Sequence, residues 1–308
     1  MSKKVLVATE KPFAKAAVDN IREIVGNAGY ELVLLEKYEN KDDLLKAVAD
    51  VDALIIRSDK VTKEVLDAAN NLKIVVRAGA GYDNVDLAAA SEKGVVVMNT
   101  PGQNSNAVAE LALGMMVYMA RGLFNGKPGS ELLGKKLGIH AYGNVGKHVA
   151  RIAKGFGMEI YAFDPFVAKE AIEKDGVTVC DTVEDLYSTC QYISLHIPAN
   201  DKTKKSINSD LLSKMPKGAV LVNTARKEVI DEESMMAMMA ERDDFKYLSD
   251  IAPDSKDDFA AKYEGRVYFT PKKMGAQTAE ANINAGLAAI RQIIAFFEEG
   301  DRTFQVNR

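Results

Sequence analysis

Tryptophan is absent from the 308 residues, cysteine occurs twice and histidine three times. Cys180 and Cys190 cannot build a disulfide framework or a four-ligand zinc site, and His140, His148 and His196 stand at no metal-ligand spacing. No metal is expected, and a reduced cytoplasm fits. The chain also lacks any apolar run near the ~18 residues of a membrane span, and its first such run, Val5 to Ala8, is too short for a signal peptide. A soluble protein without a membrane partner follows. Charge of one sign is missing too: 40 basic against 44 acidic residues leave a formal −4, with no basic block to track a phosphate backbone. Nucleic acid is therefore excluded as a partner, and there is no internal repeat or low-complexity segment.

What the chain does have is apolar material, 47% of its residues, enough at this length for two cores. Short β-branched runs at Val5–Ala8, Leu32–Leu35, Ala53–Arg57, Lys73–Arg77 and Val95–Met98 alternate with amphipathic stretches, as buried parallel strands alternate with helices. A second series runs through Lys136–Ala141, Glu159–Phe163, Val177–Cys180, Tyr192–His196, Ala219–Asn223, Tyr247–Ser249 and Val267–Phe269. The fold class is α/β, with two doubly wound parallel-sheet domains. Between the series, Asn104–Arg121 reads as one helix, preceded by Pro101-Gly102 and with Ser105 as a cap, and the domain crossing is placed there. The last helix, Ala279–Glu299, has no strand after it and is expected to cross back onto the first domain.

After the strand Lys136–Ala141 come Tyr142, Gly143, Asn144, Val145 and Gly146, then an apolar helix from Lys147 to Phe156. Strand, tight turn and helix make a loop whose backbone N–H groups and helix dipole face a pyrophosphate. Ala141 holds the first glycine position of the G-x-G-x-x-G pattern, so the motif is degenerate; its context restores it, since the next strand ends in Asp164, a carboxylate placed for ribose hydroxyls. Pro165 and Phe166 offer no cation for a 2′-phosphate, so the cofactor is NAD rather than NADP.

Longer motifs occur along nearly the whole chain: Val76 to Asp86 with Gly79-Ala80-Gly81 at its centre, Asn99-Thr100-Pro101, Asn104 to Glu110, Ser194 to Pro198, and Asn223-Thr224-Ala225-Arg226 followed by Val229 to Glu232. On these motifs the chain resembles the D-2-hydroxyacid dehydrogenases, most closely the short phosphoglycerate dehydrogenases that lack a regulatory domain. The resemblance implies a flavodoxin-like substrate domain (1–100 plus 284–308) into which a Rossmann-like NAD domain (101–283) is inserted, a cleft where the hydride moves, and a homodimer joined through the NAD domains. It makes Arg226 the catalytic arginine, a reading its place after a buried strand supports because a planar guanidinium matches carboxylate oxygens. It also assigns the amides of Ala80 and Gly81 to the substrate carboxylate, Asp250 to the nicotinamide carboxamide, and His196, Pro198, Thr203, Thr224 and Ala225 to the cofactor side.

The sequence departs from that family where its proton-transfer histidine should stand. The text is Thr270-Pro271-Lys272-Lys273-Met274-Gly275-Ala276-Gln277-Thr278-Ala279-Glu280. Counting back from Glu280 places Lys273 on the histidine position; counting forward from Thr270 places Lys272 there. The orienting glutamate is gone as well, its position falling on Ser255 with Asp254 one residue short. A lysine as general acid/base makes the double loss coherent: an amine ordinarily titrates near ~10.4 and needs burial or a nearby cation to work lower, whereas a glutamate would raise it. Lys273 is taken as that residue and Lys272 as the fallback. The alternative of another class is a protein that keeps the NAD site and senses the cofactor without turnover.

Arg57-Ser58-Asp59-Lys60 follows a strand on the ligand-binding side and offers two cations and a hydroxyl for a phosphate monoester. Arg57, Ser58 and Lys60, with Asn104 by resemblance, are the substrate-binding candidates, and oxidation of D-3-phosphoglycerate to 3-phosphohydroxypyruvate, a step of serine biosynthesis, is the expected reaction. Glyoxylate or hydroxypyruvate reduction and D-lactate oxidation are the rivals. The segment 122–135 is short for the family's arm, which leaves the dimer geometry open. The sequence stops at Arg308, so no effector-binding domain and no serine feedback are expected.

Overall fold

A computed structural model gives the fold and describes residues 2–307. The chain divides into two compact units, one made of everything up to Asn104 together with everything from Thr278 on, the other of Ser105–Gln277.

In the first unit five strands, β1 (Lys4–Thr9), β2 (Glu31–Glu36), β3 (Ala53–Ile56), β4 (Ile74–Arg77) and β5 (Val96–Asn99), form one parallel sheet in the order β2-β1-β3-β4-β5. This is the flavodoxin-like order, whose switch point lies between β1 and β3. Strand residues alternate between the two faces, and both faces are buried. Leu6, Ala8, Leu54, Ile56 and Val75 enter one core; Val5, Val7, Ala53, Ile55, Ile74 and Val76 enter the other. The helix Ala279–Glu299 lies on this second face, burying Ala285, Ala289, Ile290 and Ile293, as the sequence led us to expect. Thr278 caps it by accepting from the Ala281 amide, and Gly300, at φ 71°, closes it.

The second unit carries seven parallel strands, β6 (Lys136–His140), β7 (Glu159–Phe163), β8 (Thr178–Val179), β9 (Tyr192–Leu195), β10 (Val220–Asn223), β11 (Lys246–Ser249) and β12 (Val267–Phe269). Their order, β12-β11-β10-β9-β6-β7-β8, is the Rossmann arrangement with one strand added at an edge, and its switch point lies between β6 and β9. Two local readings change. Ser105 is the first residue of the helix Ser105–Ala120 and is buried in it, so it is not an external cap. The helix after the glycine turn starts at Asn144, three residues earlier than expected, which makes Asn144, Val145 and Gly146 its first turn.

Candidate functional site

The turn after β6 is built as a phosphate loop. Ala141 follows the strand at φ 82°, a left-handed conformation that explains why the pattern asks for glycine there. Gly146 is needed for packing instead: a Cβ on it would meet the Ala141 carbonyl oxygen at 2.5 Å, so helix and strand approach only over a hydrogen. Gly143 precedes the helix Asn144–Gly155 with no side-chain cap, and the first-turn amides donate to no group of the protein among the described residues. They stand open to an anion, as the sequence implied.

Tyr142 belongs to this loop differently from the expectation. Its ring is fully buried, its hydroxyl donates to Asp175 at 3.1 Å, and its amide donates to Asp164 Oδ2 at 2.7 Å, so neither faces a ligand. Asp164 also accepts from the Phe166 amide at 2.8 Å. One carboxylate thus ties the ends of β6 and β7 together while keeping lone pairs for a diol.

Beside this turn, at the end of β9, His196 has both ring nitrogens engaged, Nε2 with Ser194 Oγ at 2.9 Å and Nδ1 with Thr224 Oγ1 at 3.3 Å. Burial, aided by the neighbouring His140, pushes its pKa down to about 3. A ring held neutral in this way is a poor proton acceptor, which argues against His196 as the acid/base. His140 is held to about 4 by burial, with Tyr187 and Phe163 packed on its ring. Thr203 spends its hydroxyl proton on the Pro198 carbonyl at 2.5 Å and accepts from the Asn200 amide, so it staples its own loop.

Arg226 follows β10 on an exposed turn set by a residue the sequence reading passed over. The buried Asn223 side chain accepts from the Ala225 amide at 2.9 Å and donates to the Arg226 carbonyl at 3.0 Å. The guanidinium makes one hydrogen bond, to the Ala225 carbonyl, and no ion pair among the described residues. Its charge is therefore not neutralised by a carboxylate of the protein.

Asp250, at the end of β11, is 1% exposed. Its Oδ1 accepts from Thr270 Oγ1 at 3.0 Å and from the Met274 amide at 2.7 Å, and its Oδ2 from the Gly275 amide at 2.8 Å. Lys272 and Lys273 lie on the exposed stretch between these attachment points. At the altered glutamate position, the amides of Asp254 and Ser255 both donate to Glu232, each at 2.9 Å, and Asp254 pairs with Lys227. Glu232 thus fixes the loop in which the orienting carboxylate is missing.

In the first unit Arg57 follows β3 at the switch point. Its Nη1 donates to the carbonyls of Lys11 and Pro12, at 2.9 and 3.1 Å, its Nη2 donates to Asn282 Oδ1 at 2.6 Å, and the group lies 5.2 Å from the Phe13 ring centroid. Burial lowers its pKa from the ordinary guanidinium value, and the nearby Asp59 opposes that. Among the described residues no carboxylate pairs with Arg57, Lys60 or Arg77, and Ser58 Oγ makes no hydrogen bond. The buried Asp59 holds this loop, accepting from the Glu10 and Arg57 amides and the Tyr38 hydroxyl. Arg77 is the second residue missed: its Nε donates to the Arg57 carbonyl at 3.0 Å, and its guanidinium fills the space a Cβ on Gly79 would take. Ala80 and Gly81 keep amides that donate to no protein group among the described residues, while Asn104 makes no hydrogen bond there.

Comparison with known proteins agrees with this geometry. Residues 107–270 match the family described as D-isomer specific 2-hydroxyacid dehydrogenase, NAD binding domain. A hydroxypyruvate reductase of Thermotoga maritima is 37% identical over 85% of this chain and 90% of its own length. A D-3-phosphoglycerate dehydrogenase of Methanocaldococcus jannaschii is 36% identical over 82% of this chain, which spans about half (51%) of that relative. Among solved structures, an NAD+-bound 3-phosphoglycerate dehydrogenase of Entamoeba histolytica aligns over 100% of this chain and 99% of its own, with a TM-score of 0.86 and 48% identity. Open first-turn amides after β6, a carboxylate at the end of β7 and the Rossmann strand order fit NAD, and the chain belongs to the NAD-dependent D-isomer specific 2-hydroxyacid dehydrogenases.

Proposed function

We propose that the protein oxidises D-3-phosphoglycerate to 3-phosphohydroxypyruvate with NAD. The observation that carries this reading is Arg57: a cation with no carboxylate ion pair among the described residues, followed by Ser58 and Lys60, in the unit that also presents the open amides of Ala80 and Gly81. A substrate with a carboxylate at one end and a phosphate dianion at the other matches two such anion sites. The first unit is accordingly the substrate domain.

NAD, when bound, supplies the hydride acceptor. The amides of Gly143 to Gly146 and the Asp164 carboxylate hold its pyrophosphate and ribose, and Thr224, Ala225, Asp250, His196 and Pro198 stand on the nicotinamide side. Arg226 clamps the substrate carboxylate and polarises the oxygen on C2. Lys273 accepts the hydroxyl proton as the C2 hydrogen leaves as hydride. We further propose a cytoplasmic homodimer joined through the second units; among the described residues no helix is long and apolar enough to cross a membrane.

Hydroxypyruvate reduction is the second reading, favoured by the Thermotoga relative, and it differs by the phosphate. Steady-state assays with 3-phosphoglycerate, glycerate and D-lactate decide the matter. Phosphoglycerate should give the highest kcat/KM; equal or greater efficiency with glycerate overturns the substrate, and NADH binding without turnover of any of the three overturns the enzyme.

A further inference from the structure

We propose that Asp250 is a positioning residue for proton transfer, which sets the loop bearing Lys273 by holding it on both sides with one buried carboxylate. The inference rests on the reading of Lys273 as the acid/base. It goes beyond a nicotinamide contact, because the structure commits most of this carboxylate to the loop.

The Thr270 hydroxyl, which also donates to the Asp250 carbonyl oxygen at 2.8 Å, and the Met274 amide converge on Oδ1, while the Gly275 amide takes Oδ2. Three residues, Pro271, Lys272 and Lys273, separate the two attachment points. Met274 and Gly275 follow Lys273 directly, so their amides fix the backbone next to it. Charge-assisted N–H···O⁻ bonds of this length are about twice as strong as neutral ones, and in a buried place they resist competition by water.

Gly275 shows that the approach is built in. A Cβ there would come within 2.9 Å of Asp250 Oδ2 and 3.2 Å of Val108 Cγ2, so a side chain would push the amide off the carboxylate. Asp250 is fixed in turn, its own amide donating to the Asn223 carbonyl at 3.0 Å, and the Asn223 side chain sets the Arg226 turn. The end of β10 therefore anchors both the arginine turn and, through Asp250, the lysine loop.

Asparagine at 250 keeps the shape but turns an N–H₂ toward an amide that needs an acceptor. We expect Asp250→Asn to lower kcat about tenfold or more at neutral pH, part of the full general acid/base contribution, and to displace the alkaline limb of the pH profile because the backbone that sets the amine's surroundings is loosened. The Kd for NADH, read by fluorescence, should change less than kcat does, since both carboxylate oxygens are already taken by Thr270 and by the Met274 and Gly275 amides. Thr270→Val keeps the carboxylate, removes one donor, and should act in the same direction at smaller amplitude, which preserves the test if Asp250→Asn fails to fold. A large loss of NADH affinity with kcat and the alkaline limb in place overturns the proposal and leaves Asp250 a cofactor contact. Near-normal kcat in Lys273→Met overturns the lysine reading itself, and this inference falls with it.

Discussion

The turns after β4 and β6 do similar work by different means. Both follow an interior parallel strand and both leave backbone amides without protein acceptors among the described residues; the first is tied to the neighbouring loop by Asn84, whose side chain donates to the Arg57 and Asp59 carbonyls, and the second is bridged by Asp164. The first is surrounded by charge: burial lowers the pKa of Arg77, the nearby Asp83 opposes that, and the neighbouring Arg57 lowers it further. The second has no cation in its turn and relies on a helix N-terminus. A small substrate with two anionic groups needs charge to outcompete water, whereas a dinucleotide spreads its binding over many contacts and needs only aligned amides.

The largest effect that sharpens this contrast concerns the charged turn. Arg57→Ala should weaken phosphoglycerate binding by about 1.5–3 kcal/mol, the value of a charge-assisted contact, and leave glycerate nearly unaffected. Measured as KM for each substrate, an equal loss for both would mean that Arg57 serves the fold, through Lys11, Pro12 and Asn282, and does not read the phosphate.

Gly79 comes next. At φ 151°, with Arg77 Nη1 1.5 Å from where a Cβ would lie, Gly79→Ala combines backbone strain with displacement of that guanidinium. A loss of about 1–3 kcal/mol in unfolding free energy is expected, accompanied by a higher KM for phosphoglycerate because the loop Arg77 supports is loosened. If urea melts show the stability loss while KM is unchanged, Arg77 is a structural prop alone.

For the uncharged turn, the decisive residue is Asp164. Its carboxylate repels a 2′-phosphate, so the protein should use NAD far better than NADP, and Asp164→Ser should narrow that ratio by about tenfold. The same change removes the acceptor for the Tyr142 and Phe166 amides, so NAD efficiency should fall as well. Unaltered discrimination would place the selection elsewhere in the loop.

These contrasts also mark what the sequence could tell. Strand positions were legible because both faces of each sheet are buried and the β-branched runs stand out, and the phosphate turn was legible because glycine spacing reflects backbone geometry. Tyr142 was misread since nothing in a linear motif distinguishes an amide facing a ligand from one turned toward Asp164. Asp59, Arg77, Asn223 and Glu232 went unassigned for a related reason. They act on backbone groups 2 to 49 residues away, and such contacts follow from chain topology, which leaves no local pattern.

The smallest expected effect is a gain in stability at the uncharged turn. Ala141 stands at φ 82°, where an alanine pays steric strain on the order of 1–3 kcal/mol, and glycine would remove it. Glycine also widens the unfolded ensemble, which costs about 0.4–1 kcal/mol. The strain term is the larger, so Ala141→Gly should stabilise the protein by about 1 kcal/mol in urea unfolding. Its amide still donates to the Phe163 carbonyl at 2.9 Å, so β6 keeps its pairing and NADH affinity should hold. Gly146→Ala is the opposing control, since its Cβ would press on the backbone oxygen of Ala141, which cannot swing aside as the Arg77 side chain can at Gly79. Destabilisation by both substitutions would show that the alanine is relaxed in its left-handed turn, and that the degenerate motif carries no strain to relieve.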